Sequence, residues 1–280
     1  MAPRTVNARL TAVKGFARWF VPDRWHCDPL AGVKKPDPNV DRRIERRMLL
    51  PSEWPHLRSA TEESGPIAGL SGEERVTLYM LAIQTGLRVN EIAGLTVGKV
   101  VLTDDAAHVL CKPAGTKNRK PAKQYIDDEL AIRLMKHCSK RSKGDAVFVF
   151  QDQNTIADVP RADLAEARRR WIDEAKTSEE RDCREKDDFL ACTNGEGEAL
   201  DFHALRHTSG AWLILAGENI KVVQTVMRHA TISLTADRYG HLMVGQETGT
   251  VHRIAAVMAG EMSLGTTLGT TSTARRRGAV

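Results

Sequence analysis

Seven polar side chains are the candidates for chemistry in this 280-residue chain. Two pairs have i, i+3 spacing, a lysine stands in a turn-forming stretch, and a histidine and a tyrosine lie near the C-terminal end. They are Arg88 with Glu91, His203 with Arg206, Lys117, and His229 with Tyr239. Because residues at i and i+3 share one face of a helix, each pair can point toward a common target.

These side-chain types suit the breaking and rejoining of a phosphodiester. A phosphodiester is an anion, and its transition state spreads further negative charge over the equatorial oxygens. Two guanidiniums can bind those oxygens with bidentate hydrogen bonds, and a guanidinium keeps its charge at any physiological pH. A tyrosine hydroxyl can be the nucleophile, and a histidine or lysine can pass a proton to the departing sugar oxygen. No carboxylates stand at metal-ligand spacing in the sequence, so we expect chemistry without a metal or other cofactor.

The elements that position these residues are expected to be helices with three short strands between them. Ser71 and Glu74 form a capping-box pattern that predicts a helix start, and Gly86 predicts its end. Strands are predicted at residues 100–102, 108–112 and 123–126, with Lys117 between the last two. Further helices are predicted at residues 89–95, 130–138, 162–175, 203–216, 220–227 and 233–241. The sequence thus predicts a mainly α fold with a small antiparallel β-sheet.

The chain is expected to divide into four parts. These are an N-terminal helical segment at residues 1–33, a basic linker at 34–50, a catalytic domain at 51–260 and a flexible tail at 261–280. In the first part, apolar residues from Val6 to Phe20 recur at helical spacing. Within the catalytic domain, residues 177–200 contain eight acidic and three basic residues, so we expect an acidic excursion on the surface.

Two readings of the basic linker remain open from sequence. Its arginines could lie along a phosphate backbone, or they could form an ordinary solvated face. The arginines concerned are Arg42, Arg43, Arg46 and Arg47.

Composition limits the class of protein. The net charge of +5 permits a polyanionic partner without requiring one. The longest apolar runs have six residues, whereas a membrane span needs about 20, so no membrane partner is expected. Five cysteines without a CxxC pair fit a reducing, cytoplasmic location and argue against a zinc module.

Taken together, the polar segments resemble the tyrosine recombinase (phage integrase) family. The stretch DFHALRHT contains the His203 and Arg206 pair, His229 follows 23 residues after Arg206, and Tyr239 stands in a DRYGH context. This resemblance covers about residues 85–242. It is weaker over residues 5–33, which are similar to the last helices of the family's N-terminal core-binding domain and would be a shortened remnant of it. The resemblance implies the tyrosine recombinase (DNA breaking-rejoining) catalytic fold.

The resemblance assigns the positive charges of the site. Arg88 and Arg206 are similar to the family's two catalytic arginines, and Glu91 to the acidic residue that holds the first arginine in place. His229 is similar to a position held by His or Trp. Together Arg88, Arg206 and His229 would stabilise the charge that develops on the phosphate.

The resemblance also assigns the nucleophile and the proton transfers. Tyr239 would attack the scissile phosphate, and His203 would assist proton transfer at the tyrosine. Lys117 would be the general acid for the 5′ oxygen, with Lys120 as the alternative because the length of the turn is hard to judge from sequence.

The implied activity is site-specific strand exchange on double-stranded DNA. The reaction would pass through a 3′-phosphotyrosyl intermediate and need neither metal nor ATP, and the protein would act as a homotetramer on paired sites. Residues 251–258 are apolar enough to dock on a neighbouring subunit.

Two alternatives remain from sequence. One is a topoisomerase-like nicking-closing enzyme, and the other is a DNA-binding protein without strand exchange because its N-terminal clamp is short. Arg228 departs from the family pattern, since it stands where the family most often has glycine. It could contact phosphate or change the packing of the helices.

Overall fold

A computed structural model of the chain describes residues 3–24, 26–37, 45–102, 106–111, 122–150, 156, 159–243, 255, 258 and 259. They form two compact units. The first is Met1–Trp212 with Val226–Arg228, and the second is Leu213–Thr225 with His229–Val280.

Helices predominate in the first unit. They are α1 (Pro3–Arg24), α2 (Trp54–Glu62), α3 (Gly72–Thr85), α4 (Val89–Ala93), α5 (Asp128–Cys138), α6 (Val159–Asp173), α7 (Ser178–Lys186) and α8 (Phe202–Leu215), whose residues up to Trp212 belong to this unit. The predicted capping box is confirmed at the start of α3, where Ser71 accepts the Glu74 N–H and Glu74 accepts the Ser71 N–H. Gly86 ends α3 in the left-handed region, with φ of 59°.

Three short strands form one antiparallel sheet. They are β1 (Val100–Val101), β2 (His108–Cys111) and β3 (Ala122–Tyr125), in the order β1-β2-β3. Val100 pairs with Val109, His108 with Tyr125, and Cys111 with Ala122. The predicted strands are therefore confirmed to within about a residue at each end, which is the usual uncertainty of such boundaries. With the helices, they confirm the mainly α fold class.

The core of the first unit surrounds α3. Nearly every side chain of this helix is buried, among them Val76, Leu78 and Leu81. The helix packs against α2 and α5, and α2 in turn packs against α6. Because the core also includes Ala204 and Leu205, helix α8 is fixed to the same hydrophobic cluster. The helix whose end precedes Arg88 and the helix that carries Arg206 thus share one core.

The N-terminal segment differs in part from its expected form. Helix α1 includes the predicted stretch, but Val13 and Phe16 of the apolar stripe are 52% and 58% exposed. The helix instead contacts the following segment through polar groups, with Asn7 Nδ2 donating to the Pro36 carbonyl at 2.8 Å and Lys14 Nζ donating to the Val33 carbonyl. Helical spacing predicted the element correctly but did not predict which face is buried.

Arg46 and Arg47 correct the expectation of an exposed arginine run. The carboxylate of Glu53, a fully buried residue, accepts Arg47 Nη1 and Nη2 at 2.8 and 2.9 Å and also accepts the Leu190 N–H. Arg46 is paired with Asp201 at 2.8 Å. Both guanidiniums therefore stabilise the fold and do not line a solvent face. Arg42 and Arg43 lie outside the described residues.

Residues 177–200 combine a surface helix with segments that return to the core. Helix α7 has no buried residue, as an acidic surface excursion predicts. Leu190 and Leu200, however, are fully buried. Thr177 caps α7 by accepting the Glu180 N–H at 3.1 Å. The segment is therefore only partly the surface excursion that its composition predicted, because two leucines anchor it.

The second unit contains the C-terminal helices. They are α9 (Ile220–Met227), whose residues up to Thr225 belong to this unit, and α10 (Ile232–Tyr239), which is followed by the 3₁₀ turn Gly240–Met243. Thr231 caps α10 by accepting the Leu234 N–H at 3.3 Å. The helices predicted at 220–227 and 233–241 are thus confirmed. Most of residues 251–258 and all of the predicted tail at 261–280 lie outside the described residues.

Within the part of the chain that the structure describes, no helix is both long enough and apolar enough to cross a membrane.

Candidate active site

Arg88 is presented by a tight junction between α3 and α4. Gly86 ends α3, and Arg88 is the N-cap residue of α4 with an extended backbone. A Cβ on Gly86 would lie 2.9 Å from Met227 Sδ and 3.2 Å from Ser209 Oγ, so the close approach of these elements needs glycine. The Arg88 side chain is 44% exposed. The junction therefore leaves this guanidinium accessible to an anionic ligand.

Glu91 contacts both the backbone and the side chain of Arg88, and it binds a second arginine as well. Its Oε2 accepts the Arg88 backbone N–H at 2.8 Å, and its Oε1 lies 3.5 Å from Arg88 Nη1. Arg228 Nη2 also donates to Oε2. Partial burial raises the pKa of Glu91, but the Arg88 N–H and the Arg228 charge outweigh this effect, and the net pKa lies below the usual value. The carboxylate is therefore ionised between two cations.

Arg206 is buried and is held by backbone carbonyls. It is 4% exposed, and it donates from Nη1 to the Gly86 carbonyl and from Nη2 to the Met227 carbonyl. These carbonyls stand at the C-terminal ends of α3 and α9, where the helix dipole favours a positive charge. Gly86 is two residues before Arg88 in the chain. The hydrogen bonds thus bring Arg206 to the junction that presents Arg88.

The start of α8 is fixed by a contact that sequence reasoning missed. Asp201 Oδ1 accepts the Ala204 N–H at 3.0 Å, and the Asp201 carboxylate is bound by Arg46 Nε at 2.8 and 2.9 Å. Burial raises the pKa of Asp201, but the hydrogen bonds from Arg46 outweigh it and the net pKa is lowered. An aspartate directly before a helix is a common N-cap, so the sequence carried a signal for Asp201 but none for its arginine partner.

His203 lies in the first turn of α8, two residues after this cap. It is partly exposed, and its ring meets the His207 ring edge-on with 5.1 Å between centroids. His203 and Arg206 are thus on one helix that is anchored at its start and packed into the core, as their i, i+3 spacing predicted.

His229 and Tyr239 come together within the second unit. Their rings are nearly parallel, with 6.4 Å between centroids and 9° between planes. His229 Nδ1 lies 3.0 Å from Thr235 Oγ1, and Thr235 is fully buried. Tyr239 ends α10 and is 3% exposed. Thr235 fixes one ring nitrogen of the histidine, a role that its sequence position, one helical turn before the tyrosine, did not reveal.

The predicted site residues are therefore found in two groups. In the first unit, Arg206 is bonded to the junction that presents Arg88, and Glu91 binds Arg88 and Arg228. In the second unit, His229 stacks near Tyr239. Lys117 and Lys120 lie outside the described residues, so the identity of the hairpin lysine remains a prediction.

Comparison with known proteins identifies the family of the chain. The sequence model of the phage integrase family matches residues 49–245. Tyrosine recombinase XerC of Neisseria meningitidis serogroup B is 24% identical over 238 residues, which cover 84% of this chain and 68% of the relative. Tyrosine recombinase XerD of Brucella suis biovar 1 is 25% identical over 255 residues, covering 86% and 73%.

Among solved structures, the Tn1549 transposon integrase in complex with a circular intermediate DNA has a TM-score of 0.58 at 17% identity. The match covers 91% of this chain and 80% of that chain, and it shows a shared fold. The family match extends over the elements that carry the arginines, the histidines and the tyrosine. The chain therefore belongs to the phage integrase family, and it is a tyrosine-type site-specific recombinase.

Proposed function

We propose that the protein cleaves and rejoins duplex DNA through a covalent bond between Tyr239 and a 3′ phosphate. The observation that carries this proposal is the contact of Arg206 with the Gly86 carbonyl, because it joins one arginine to the junction that presents the other, Arg88. Two permanently charged guanidiniums directed to one anionic centre would suit the charge of a phosphodiester. The solved Tn1549 integrase bound to a circular intermediate DNA supports DNA as the ligand class.

In the first step, the Tyr239 oxygen bonds to phosphorus while the bond from phosphorus to the 5′ oxygen breaks. His203 assists removal of the phenol proton, and Lys117 donates a proton to the departing 5′ oxygen. In the second step, the 5′ hydroxyl of a partner strand attacks the same phosphorus. The bond to Tyr239 breaks as the 5′ hydroxyl gives its proton to Lys117, and the tyrosine regains its proton with the help of His203.

The proposed reaction needs neither ATP nor a metal. The phosphotyrosyl bond conserves the energy of the phosphodiester, so no other energy source is required. Arg88 and Arg206 supply positive charge to the transition state, and His229 helps to stabilise the charge that develops there. This is the electrostatic role that a metal ion has in other phosphoryl-transfer enzymes.

We also propose that four copies act on two paired sites, because exchange between two duplexes requires cleavage of four strands. A cytoplasmic location is part of the same proposal, since five cysteines without a CxxC pair suit a reducing compartment.

The proposal can be tested without knowing the target site. A pool of nicked DNA duplexes with randomised sequence is incubated with the full chain in EDTA and without ATP, and protein that remains bound to DNA in SDS is collected. We expect covalent adducts with the wild type and none with Tyr239→Phe. Tyr125→Phe is the matched control, because Tyr125 is 61% exposed on β3 and should react like the wild type.

Adducts that persist in Tyr239→Phe, or that require a divalent cation, would contradict the mechanism. Sequencing the trapped DNA gives a candidate site. Two labelled duplexes with that site should then form four-way junctions, whereas a nicking-closing enzyme would relax supercoils and form no junctions.

A further inference from the structure

Arg228 has a backbone conformation that side chains other than glycine seldom adopt. Its φ is 51°, in the left-handed region. Within the described residues, Ala68 and Leu190 are the other non-glycine residues with positive φ. Such strain persists where surrounding contacts hold it, and it often marks a functional position. Glycine adopts a positive φ without steric cost, which gives a physical reason why the family most often has glycine at this position.

The side chain of Arg228 is held by Glu91. It is 8% exposed, and its Nη2 donates to Glu91 Oε2, the same oxygen that accepts the Arg88 N–H. The charges of Arg228, Glu91 and Lys99 also act on the Cys111 thiol at the end of β2. Burial raises the pKa of Cys111 to about 11, while the Arg228 charge acts in the opposite direction. Arg228 is therefore fixed inside the first unit, beside the group that holds Arg88.

The backbone next to Arg228 serves the second arginine. The Met227 carbonyl, which belongs to the peptide unit that enters Arg228, accepts Arg206 Nη2. Met227 and Arg228 therefore serve both arginines of the site. The Met227 carbonyl binds Arg206, and the Arg228 side chain binds Glu91, which contacts Arg88. A left-handed residue directly after α9 turns the chain at this point, as such residues do at helix ends.

We propose that Arg228 is a positioning residue that locks the Glu91 carboxylate against Arg88 while its left-handed backbone keeps the Met227 carbonyl on Arg206. This inference rests on the proposed function. A carboxylate that is bonded on one oxygen by a buried guanidinium has little freedom to rotate, so its other oxygen stays directed at Arg88. Without Arg228, Glu91 can turn and Arg88 loses its fixed position.

The test separates the side chain from the backbone. Arg228→Gly relieves the left-handed strain and removes the guanidinium, Arg228→Ala removes the guanidinium alone, and Arg228→Lys keeps a charge without the planar fork. Single-turnover formation of the Tyr239 adduct is measured at saturating trapped DNA, together with the Kd for that DNA. We expect Gly and Ala to slow the reaction by about tenfold with little change in Kd, and Lys to restore part of the rate.

A double variant tests whether the effect passes through Glu91. Glu91→Gln should also slow adduct formation, and adding Arg228→Gly to it should produce little further loss, because both changes break the same contact. Ala68→Gly is the control for relief of left-handed strain, since Ala68 has φ of 52° in a turn that carries no predicted site residue. This control should leave the rate unchanged.

Three results would overturn the inference. The first is an unchanged rate in Arg228→Gly with a reactive wild type. The second is a weakened Kd with an unchanged rate at saturation, which would make Arg228 a DNA contact. The third is full additivity with Glu91→Gln. A wild type that forms no adduct would overturn the proposed function, and this inference with it, so the two failures are distinguishable.

Discussion

The buried Arg75–Asp163 pair gives the sharpest prediction of stability. Arg75 and Asp163 are 0% and 1% exposed, and Arg75 Nε and Nη2 donate to the carboxylate at 2.9 and 3.0 Å. Tyr79 donates its hydroxyl to Asp163 Oδ2 at 2.5 Å. Burial and the Asp163 charge raise the pKa of Tyr79 well above its usual value, so the phenol remains a donor. This pair joins α3, the helix that leads to Arg88, to α6.

Asp163→Asn should lower the free energy of unfolding by about 3–5 kcal/mol. Removal of one partner from a buried pair leaves the other charge in a medium that cannot solvate it. Tyr79→Phe removes one hydrogen bond to a charged acceptor and should cost about 1.5–3 kcal/mol. The double variant Arg75→Met/Asp163→Leu should be less destabilised than Asp163→Asn, because it leaves no unpaired charge.

Urea unfolding followed by circular dichroism measures these differences. Asp173→Asn is the matched control on the same helix, since Asp173 is 45% exposed and pairs with surface arginines. It should cost less than about 1 kcal/mol. A loss in Asp163→Asn no larger than in the Asp173 control would refute the reasoning, because it would mean that solvent or another group compensates the Arg75 charge.

Three further predictions concern the site and its supports. Thr235→Val should slow adduct formation by about tenfold, because the His229 ring loses its hydrogen-bond partner, whereas Thr235→Ser should retain most of the rate. Equal rates for the two variants would contradict the role of the hydroxyl. Gly86→Ala should lower the free energy of unfolding by about 1–3 kcal/mol more than Gly197→Ala does. Both glycines have positive φ, but only Gly86 lacks room for a Cβ. Equal losses in urea unfolding would contradict this. Since the pKa of Asp201 is lowered in the folded state, its contribution is complete above the unfolded-state pKa of about 3.9. The stability advantage of the wild type over Asp201→Asn should therefore shrink as the pH falls below about 4 in acid unfolding, and a constant difference would contradict the assignment.

Local patterns in the sequence predicted most of the elements. The capping box at Ser71 and Glu74 is present, and α9 spans the predicted residues. The helices α2 and α7 were missed, although Thr177 and Glu180 form the same kind of start signal before α7. The acidic composition of residues 177–200 favoured a surface excursion without a helix, although Thr177 is a helix cap. The start signals of α3 and α7 each involve residues three positions apart, a distance over which spacing in the sequence is informative.

Long-range partners could not be predicted in this way. Arg46 and Arg47 were expected in an exposed basic linker, either along a phosphate backbone or in solvent, yet Arg46 binds Asp201, which lies 155 residues away. Glu91 was expected to hold Arg88, but its second partner, Arg228, is 137 residues away. Spacing within a helix or a turn says nothing about which distant carboxylate satisfies a guanidinium, because that depends on how the elements pack. The residues of the candidate site could therefore be proposed from the sequence, whereas the distant contacts that hold them could not.

The most direct test of the central claim is to locate the DNA on the protein. The trapped adduct is digested with nuclease and protease, and mass spectrometry identifies the peptide that retains a nucleotide. Our account predicts a nucleotide joined through its 3′ phosphate to the Tyr239 oxygen. A remnant on any other residue, or a 5′ phosphate linkage at this tyrosine, would contradict it.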